Sequence, residues 1–403
     1  VDAKAPISAA ADVPRAGRYY RAGPFRADSD SPYERLLEIA NRAGLHLSYG
    51  RGLDLIHRGD QHFVRLIDEL SAASREICIE MYQVLPDPIG WRLCSALASA
   101  AARGVSVRLL LDRFGSSAVG AWFETLERYG VQVRWYRPWR AWSNPFLRTH
   151  RKLIVIDGHR ASIGGINMAA DFSEAFSKER AWRDLALWIE GPTAWILRRQ
   201  FEAAWEANGG PPGPPLPVPD GSGTLCALSN TQVAGSNQAD AYLALIASAH
   251  EEILLATPYF LPDARLQRAL ADAVQRGVTA TVVVPRRSDI WWFKHGSRHL
   301  YRRLLQAGVW IWERCDRMVH AKVAAVDGRV AAIGSTNLNR LSFYGNSETL
   351  LLTAEPRIVA EIRSMIRDES LAAAERVTAR SWRSHPDRRP WAELAASAVA
   401  VLL

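Results

Sequence analysis

Short apolar runs alternate with amphipathic stretches along this chain, and they recur in a fixed order. EICIEMY (76–82), VSVRLLLD (105–112) and VQVRWY (131–136) are rich in β-branched and aromatic residues, which predicts strands. Between them, WRLCSALASAAARG (91–104) has helical apolar spacing and stops at Gly104, and a second helix is expected over 120–129. The succession returns in EILLATPYF (252–260), ARLQRALADAVQRG (264–277), VTATVVVP (278–285), a helix over 294–307, and VWIWER (309–314). RGVSVRLLL answers RGVTATVVV, and YGVQVRWY answers AGVWIWE, at nearly constant offsets. Alternating elements written twice imply an internal duplication of α/β class. The expectation is two α/β/α sandwich halves with mixed sheets, packed about a pseudo-twofold axis with a site between them.

The segment GGPPGPPLPVPDGSG (209–223) sustains neither helix nor strand and reads as a stiff, extended connector. It divides the chain into an N-terminal extension (1–50), a first half (51–208), a second half (224–370) and a tail (371–403).

Each half contains one copy of a longer sentence. HRKLIVIDG (150–158) leads to GGIN, ending at Asn167; HAKVAAVDG (320–328) leads to GSTN, ending at Asn337. HRKLIVI reads as a strand buried on both faces. Alternation then puts His150 and Lys152 on one side, about 6–7 Å apart; His320 and Lys322 repeat the pattern. Asp157-Gly158 and Asp327-Gly328 are hairpin signals, so the two aspartates are expected to set turns. Gly164, Gly165, Gly334 and Ser335 let the backbone approach closely, and Asn167 and Asn337 are expected to return towards the His–Lys ends.

Composition narrows the partner. The chain has 403 residues, a net charge of +8 and 15 Trp, with a pI near 9.5. The positive charge suits an anionic partner, and Trp favours membrane–water interfaces. Cys78, Cys94, Cys226 and Cys315 are scattered and read as free thiols. No run reaches the roughly 18–20 apolar residues that span a bilayer. The chain does not begin with Met, which leaves a trimmed N-terminal anchor or signal open.

Two imidazoles, two ammonium groups and two carboxamides converging on one spot suit displacement at a phosphodiester. One imidazole attacks phosphorus while the other protonates the leaving oxygen and later deprotonates the acceptor. Lys152 and Lys322 neutralise the non-bridging oxygens, and Asn167 and Asn337 donate to them. No carboxylate cluster or His/Cys spacing suggests a metal or other cofactor. Asp184 and Glu348 occupy similar places after each motif. Each is either the carboxylate that orients an imidazole or an exposed acid at a strand start. His295 and His299 stand i,i+4 without a third ligand and are expected at the surface or in a lid; His159 belongs to an exposed hairpin.

The doubled motif resembles the HKD signature of the phospholipase D superfamily. YFLPD (259–263), SRHLYRRLLQAGVWIWE (297–313) and WRDLALWIEGP (182–192) resemble its bacterial cardiolipin synthases, as does the tail from Ala374. The resemblance covers the chain from about Leu53 onwards. It implies a metal-independent, two-step phosphatidyl transfer, commonly from one phosphatidylglycerol to another. His150 would become the phosphatidyl-enzyme and His320 would be the general acid and base. An acid after each motif would orient its His, which favours Asp184 and Glu348 as functional residues. Transfer to water would instead make a phospholipase D.

RWYRPWRAWSNPF (134–146) and SDIWWFKHGSRH (288–299) interleave Trp with basic residues. Trp139, Trp142, Phe146, Trp291, Trp292 and Phe293 are the expected contacts with an anionic lipid surface. Such stretches also suit single-stranded nucleic acid, or ordinary packing. WAELAASAVAVLL (391–403), a candidate amphipathic helix, favours lipid, with no nucleic acid partner expected. The expected location is peripheral on the cell inner membrane, cytoplasmic face. A nucleic-acid phosphodiesterase and an inactive lipid binder are the remaining alternatives.

Overall fold

The computed structural model describes residues 31–136, 147–229 and 237–383, together with 389, 391 and 396. The first half runs α1 (Pro32–Ala43), β1 (His46–Ile56), α2 (Gly59–Ala72), β2 (Glu76–Met81), α3 (Pro88–Ala102), β3 (Ser106–Asp112) and α4 (Gly120–Arg128). It continues through β4 (Gln132–Tyr136), β5 (Lys152–Ile156), β6 (Arg160–Gly164), α5 (Glu174–Ser177), β7 (Ala186–Glu190) and α6 (Pro192–Ala207). The second half comprises β8 (Thr224–Leu228), α7 (Gln238–Ala247), β9 (Glu252–Ala256), α8 (Ala264–Gln275), β10 (Thr279–Pro285), α9 (Trp291–Gln306) and β11 (Trp310–Arg314). After these come β12 (Val323–Val326), β13 (Val330–Gly334), β14 (Leu350–Thr353), α10 (Pro356–Ser364), β15 (Ala374–Val377) and α11 (Ala379–Arg383).

The strand order is β15-β11-β10-β9-β12-β13-β14-β8-β1-β7-β6-β5-β2-β3-β4. Apart from β15 it reads the same from either end once equivalent strands are matched, so the twofold relation is written into the topology. In each half three parallel strands adjoin an antiparallel set. The mixed α/β halves are as expected, but their sheets are continuous. β1 pairs with β8 from His46↔Leu228 to Gly50↔Thr224, then shifts register between Arg51 and Asp54 and pairs with β7. A bulge lets one long strand serve both neighbours. β1 and β8 are therefore equivalent, and the division drawn at residue 50 falls inside β1.

Helices close both faces. One apolar cluster joins α2, α3 and α4 to the first half, including Leu66, Leu97 and Phe123. A second joins α1, α7, α8 and α9 to the second half, including Leu36, Leu245 and Tyr301. A third runs beneath both halves and takes Phe201 from α6 and Ile362 from α10. Helix starts follow local chemistry: Asp87 accepts from Ile89 and Gly90 N–H ahead of α3, and Asp263 accepts from Leu266 N–H ahead of α8.

Both motif aspartates occupy the turns predicted for them, with φ 52° in each. Short polar side chains tolerate this left-handed conformation. Asp157 accepts from the backbone N–H groups of Ser74, Arg75 and Glu76. Asp327 accepts from those of His250, Glu251 and Glu252, and also pairs with Arg35 of α1. Each aspartate thereby fixes the entrance to its half's first parallel strand. The connector at 209–223 lies extended along the first half, where the Pro214 carbonyl accepts from Arg198. The cysteines are free, and three of them are buried.

Candidate active site

The two motifs meet at the seam between the halves, each held by the backbone of the other. His150 N–H donates to the Ser347 carbonyl at 2.9 Å, and His320 N–H donates to the Arg183 carbonyl at 2.8 Å. These exchanges displace the expected start of the motif strand. β5 begins at Lys152 and β12 at Val323, because both histidines spend their backbone bonds on the opposite half instead of the sheet. Each lysine folds back on its own motif: Lys152 Nζ donates to the His150 carbonyl at 2.7 Å, and Lys322 Nζ to that of His320.

The carboxylates cross the seam as well. His150 Nδ1 stands 3.0 Å from Glu348 Oε2 and 3.1 Å from the Ser335 carbonyl. His320 Nδ1 stands 2.6 Å from Asp184 Oδ2, and the Gly165 carbonyl also meets this ring. Neither acid orients the histidine of its own half, contrary to the expectation from the resemblance. The physical reason lies in the loops after β6 and β13, which cross the seam and carry each half's acid to the other half's ring. Two acceptors on Nδ1 fix the proton there, leaving the His150 Nε2 lone pair available.

Burial dominates the electrostatics. It pushes both imidazoles down, His320 well below the usual range, with Lys322, Lys152 and His150 adding to the effect. Burial also lowers both lysines, Lys322 to about 8 and Lys152 well below its ordinary value, the latter aided by Lys322. A phosphodiester placed among these cations would restore their charges. The acids diverge: burial raises Asp184, whereas on Glu348 the pull of His150, Lys152 and the Ser335 hydroxyl outweighs it and lowers the group. Glu348 is therefore the more firmly anionic partner.

The small residues are needed for this close approach. A Cβ on Gly165 would stand 2.2 Å from Asp184 Oδ2, and Cβ atoms on Gly164 and Gly334 would strike the Leu185 and Thr349 carbonyls at 2.2 and 2.0 Å. Ser335 occupies the place equivalent to Gly165 and uses its hydroxyl on Glu348 at 2.5 Å. Asn167 and Asn337 are buried, and the Oδ1 of each has no partner among the described residues.

Several wall residues escaped sequence reasoning. Tyr82 packs 5.0 Å from the His150 ring and receives Lys152 Nζ over its face at 4.9 Å. Trp182 and Phe172 flank His320 at 5.0 and 5.3 Å. Arg151 and Thr149 are tied to buried Glu80 beneath His150. The only available signal was position: Thr149 and Arg151 flank the motif histidine, and Tyr82 ends a predicted strand.

Trp291 and Trp292 are exposed in the first turn of α9, at 48% and 45%. Phe293 departs from the expected lipid contact: it is buried and stacks on Tyr259 at 4.8 Å, beside His320. Of the two histidines expected at the surface or in a lid, His295 lies on the buried face of α9 and His299 is exposed; His159 is exposed as well. Trp139, Trp142 and Phe146 lie outside the described residues, as does most of 391–403. Among the described residues no helix is long and apolar enough to cross a membrane, and no group of three or more His, Cys, Asp or Glu is placed to hold a metal ion.

Similarity to known proteins identifies the family. The family model described as cardiolipin synthase, PLD-like domain, matches residues 66–205 and 242–369. The cardiolipin synthase of Geobacillus thermodenitrificans is 34% identical over 79% of this chain and 66% of that protein. Cardiolipin synthase A of Pseudomonas syringae is 31% identical over 80% of this chain and 69% of its own. The match to Geobacillus kaustophilus cardiolipin synthase, at 32% identity, covers 93% and 77%. Among solved structures, Haemophilus influenzae phosphatidylserine synthase superposes with a TM-score of 0.71 at 14% identity, over 93% of this chain and 100% of that one. Such low identity speaks for the fold alone. With two intact motifs joined in one site and a family model spanning both halves, the chain belongs to the phospholipase D-like cardiolipin synthase family.

Proposed function

We propose that this chain is a phosphatidyltransferase that forms cardiolipin from phosphatidylglycerol, with a second phospholipid as donor. The observation that carries the reading is the crossed pair of histidine–carboxylate contacts, with both lysines buried in the same site. His150 Nε2 attacks the donor phosphorus; a P–N bond forms and the P–O bond to the headgroup alcohol breaks. His320, protonated, gives its proton to that oxygen. The acceptor's hydroxyl then loses its proton to His320 and attacks phosphorus, breaking the P–N bond. Lys152 and Lys322 balance the non-bridging oxygens, and the carboxamides of Asn167 and Asn337 donate to them. Hydrophobic walls from Tyr82, Trp182 and Phe172 limit access of water, which would otherwise compete as acceptor.

Trp291 and Trp292, joined to the site through Phe293 and Tyr259, form a docking edge for an anionic lipid surface. The proposed location is peripheral at the inner membrane, on its cytoplasmic face. Labelled phosphatidylglycerol vesicles incubated in chelator test the reading, with cardiolipin resolved from phosphatidic acid. Cardiolipin should form, and His150→Ala and His320→Ala should each abolish it. Turnover restored only by a divalent ion would refute the mechanism; phosphatidic acid as sole product would make the protein a hydrolase.

A further inference from the structure

A second group of charges lies beside His320, outside the site described above. A cavity of about 560 Å³ is lined by Arg58, Lys178, Arg183, Arg314 and Arg317, against three carboxylates, Glu174, Glu179 and Glu369. It straddles the seam and reaches the site through one residue: the Arg183 carbonyl holds His320 N–H, and Asp184, the next residue, holds the His320 ring.

Two carboxylates are already engaged. Glu174 accepts from Arg58 at 2.7 Å and from Arg317 at 3.0 Å, and Glu369 accepts from Arg183. Glu179 is exposed. Asp316 binds Arg314 through Nε and Nη2 at 2.6 and 3.0 Å and stands 3.4 Å from Arg317 Nε. The remaining Arg314 nitrogen, Nη1, is buried without a partner among the described residues, on a side chain that is 6% exposed; an acceptor would reach it only by a shift of the guanidinium towards the cavity. Lys178 adds an independent sign. Its backbone sits at φ 51°, ψ −129°, a conformation suited to glycine, yet the position carries an ammonium group that lines the cavity. Strain of this sort is retained where a side chain is needed.

We propose that the cavity binds a phosphate oxyanion, that of the acceptor phospholipid. The inference rests on the phosphatidyltransferase reading. In-line displacement puts the leaving and incoming alcohols opposite His150, on the His320 side. An acceptor phospholipid that offers its headgroup hydroxyl there brings its own phosphodiester a few bonds away, and the cavity next to His320 supplies the cations for it. Lipid phosphodiester and free phosphate share the recognising chemistry, so the test separates them.

Lys178→Gly removes the ammonium while relaxing the backbone, and Arg317→Gln removes a second cation; thermal melts verify that both fold. Short-chain phosphatidyl-p-nitrophenol serves as donor and phosphatidylglycerol as acceptor. Release of p-nitrophenol reports the donor step, and the ratio of mixed transfer product to phosphatidic acid reports the acceptor step. Each variant should lower that ratio about tenfold, as expected for loss of one charge-assisted contact, with the loss confined to transfer. Inorganic phosphate should compete with phosphatidylglycerol in the unchanged protein and more weakly in both variants. An unchanged ratio in both folded variants would overturn the proposal and leave the charges as a staple between the halves. Inhibition by phosphate that phosphatidylglycerol does not relieve would make the cavity a site for free phosphate and overturn the acceptor assignment. Absence of p-nitrophenol release from the unchanged protein would instead sink the underlying reading, and this inference with it.

Discussion

Exchanging each carboxylate for its isosteric amide separates the two imidazoles by role. Asp184→Asn keeps a polar group near His320 Nδ1, where the contact is 2.6 Å, but removes its charge; Glu348→Gln does the same for His150 at 3.0 Å. A hydrogen bond to a charged group contributes about 1.5–3 kcal/mol net, or roughly 10- to 150-fold in rate. The analogous amide in a serine-protease triad lowers kcat about 10⁴-fold by fixing the wrong tautomer. Both carboxylates here are fully buried, so cardiolipin formation should fall by about 10²–10⁴-fold in either variant. The leaving group then tells them apart. p-Nitrophenolate departs without a proton, so a donor carrying it bypasses the acid and exposes only the attack. In single-turnover stopped flow, Asp184→Asn should release p-nitrophenol within about tenfold of the unchanged protein, because its defect is in proton transfer. Glu348→Gln should remain slow, because its defect is in the nucleophile. Rescue of Glu348→Gln alone would reverse the roles assigned to His150 and His320. Equal rescue of both would refute the division of labour.

Other consequences are open to measurement. His62 is buried, and burial, aided by Arg65, holds its pKa down at about 4. Above pH 6.5 folded and unfolded forms are both neutral there; as pH falls towards 4 only the unfolded chain takes up the proton, so stability is lost. Urea unfolding at pH 6.5 and 4 should show about 3 kcal/mol more loss in the unchanged protein than in His62→Phe; equal losses would contradict the assignment. Gly165→Ala drives a methyl into Asp184 and should slow cardiolipin formation at least about tenfold while sparing p-nitrophenol release; Gly120→Ala, with open space around it and a helical backbone, should leave both steps intact. Trp291→Ala with Trp292→Ala should abolish sedimentation with anionic liposomes while turnover of monomeric short-chain lipid persists; unchanged sedimentation would remove α9 from the docking edge.

The parts legible in the sequence were those that repeat or act locally. His150, Lys152, His320 and Lys322 stood out because the same spacing is written twice, and Asp157 and Asp327 because Asp-Gly between apolar runs has one common use. Periodicity could not reveal how the halves exchange residues. Glu348 reaches His150 across 198 positions and Asp184 reaches His320 across 136. Which acid meets which ring depends on where the loops after β6 and β13 cross the seam, a long-range matter. The same blindness applies to α9: three consecutive aromatics look alike in sequence, and helical geometry alone turns Trp291 and Trp292 outward and Phe293 inward. β1 was hidden for a similar reason, since its role as the partner of both β7 and β8 needs a bulge that no local pattern announces.

The two copies are not interchangeable, and the differences bear on which histidine attacks. Beneath His150, Arg151 pairs with Glu80 at 2.8 Å and Thr149 with the same carboxylate at 2.5 Å, all three buried. At the equivalent place in the second motif stands Ala321. A buried, satisfied network of this kind holds its neighbourhood rigid, which suits a ring that must present one lone pair along a fixed line. His320 instead stands among Trp182, Phe172 and Tyr259, with Lys322 2.8 and 3.1 Å from its two ring nitrogens. Its carboxylate partner is pushed up where that of His150 is pulled down. A less firmly anionic partner suits a proton carrier, since acid and base must alternate within one turnover. Duplication supplied two equal imidazoles; the residues packed around them differ in the way the proposed nucleophile and shuttle roles require.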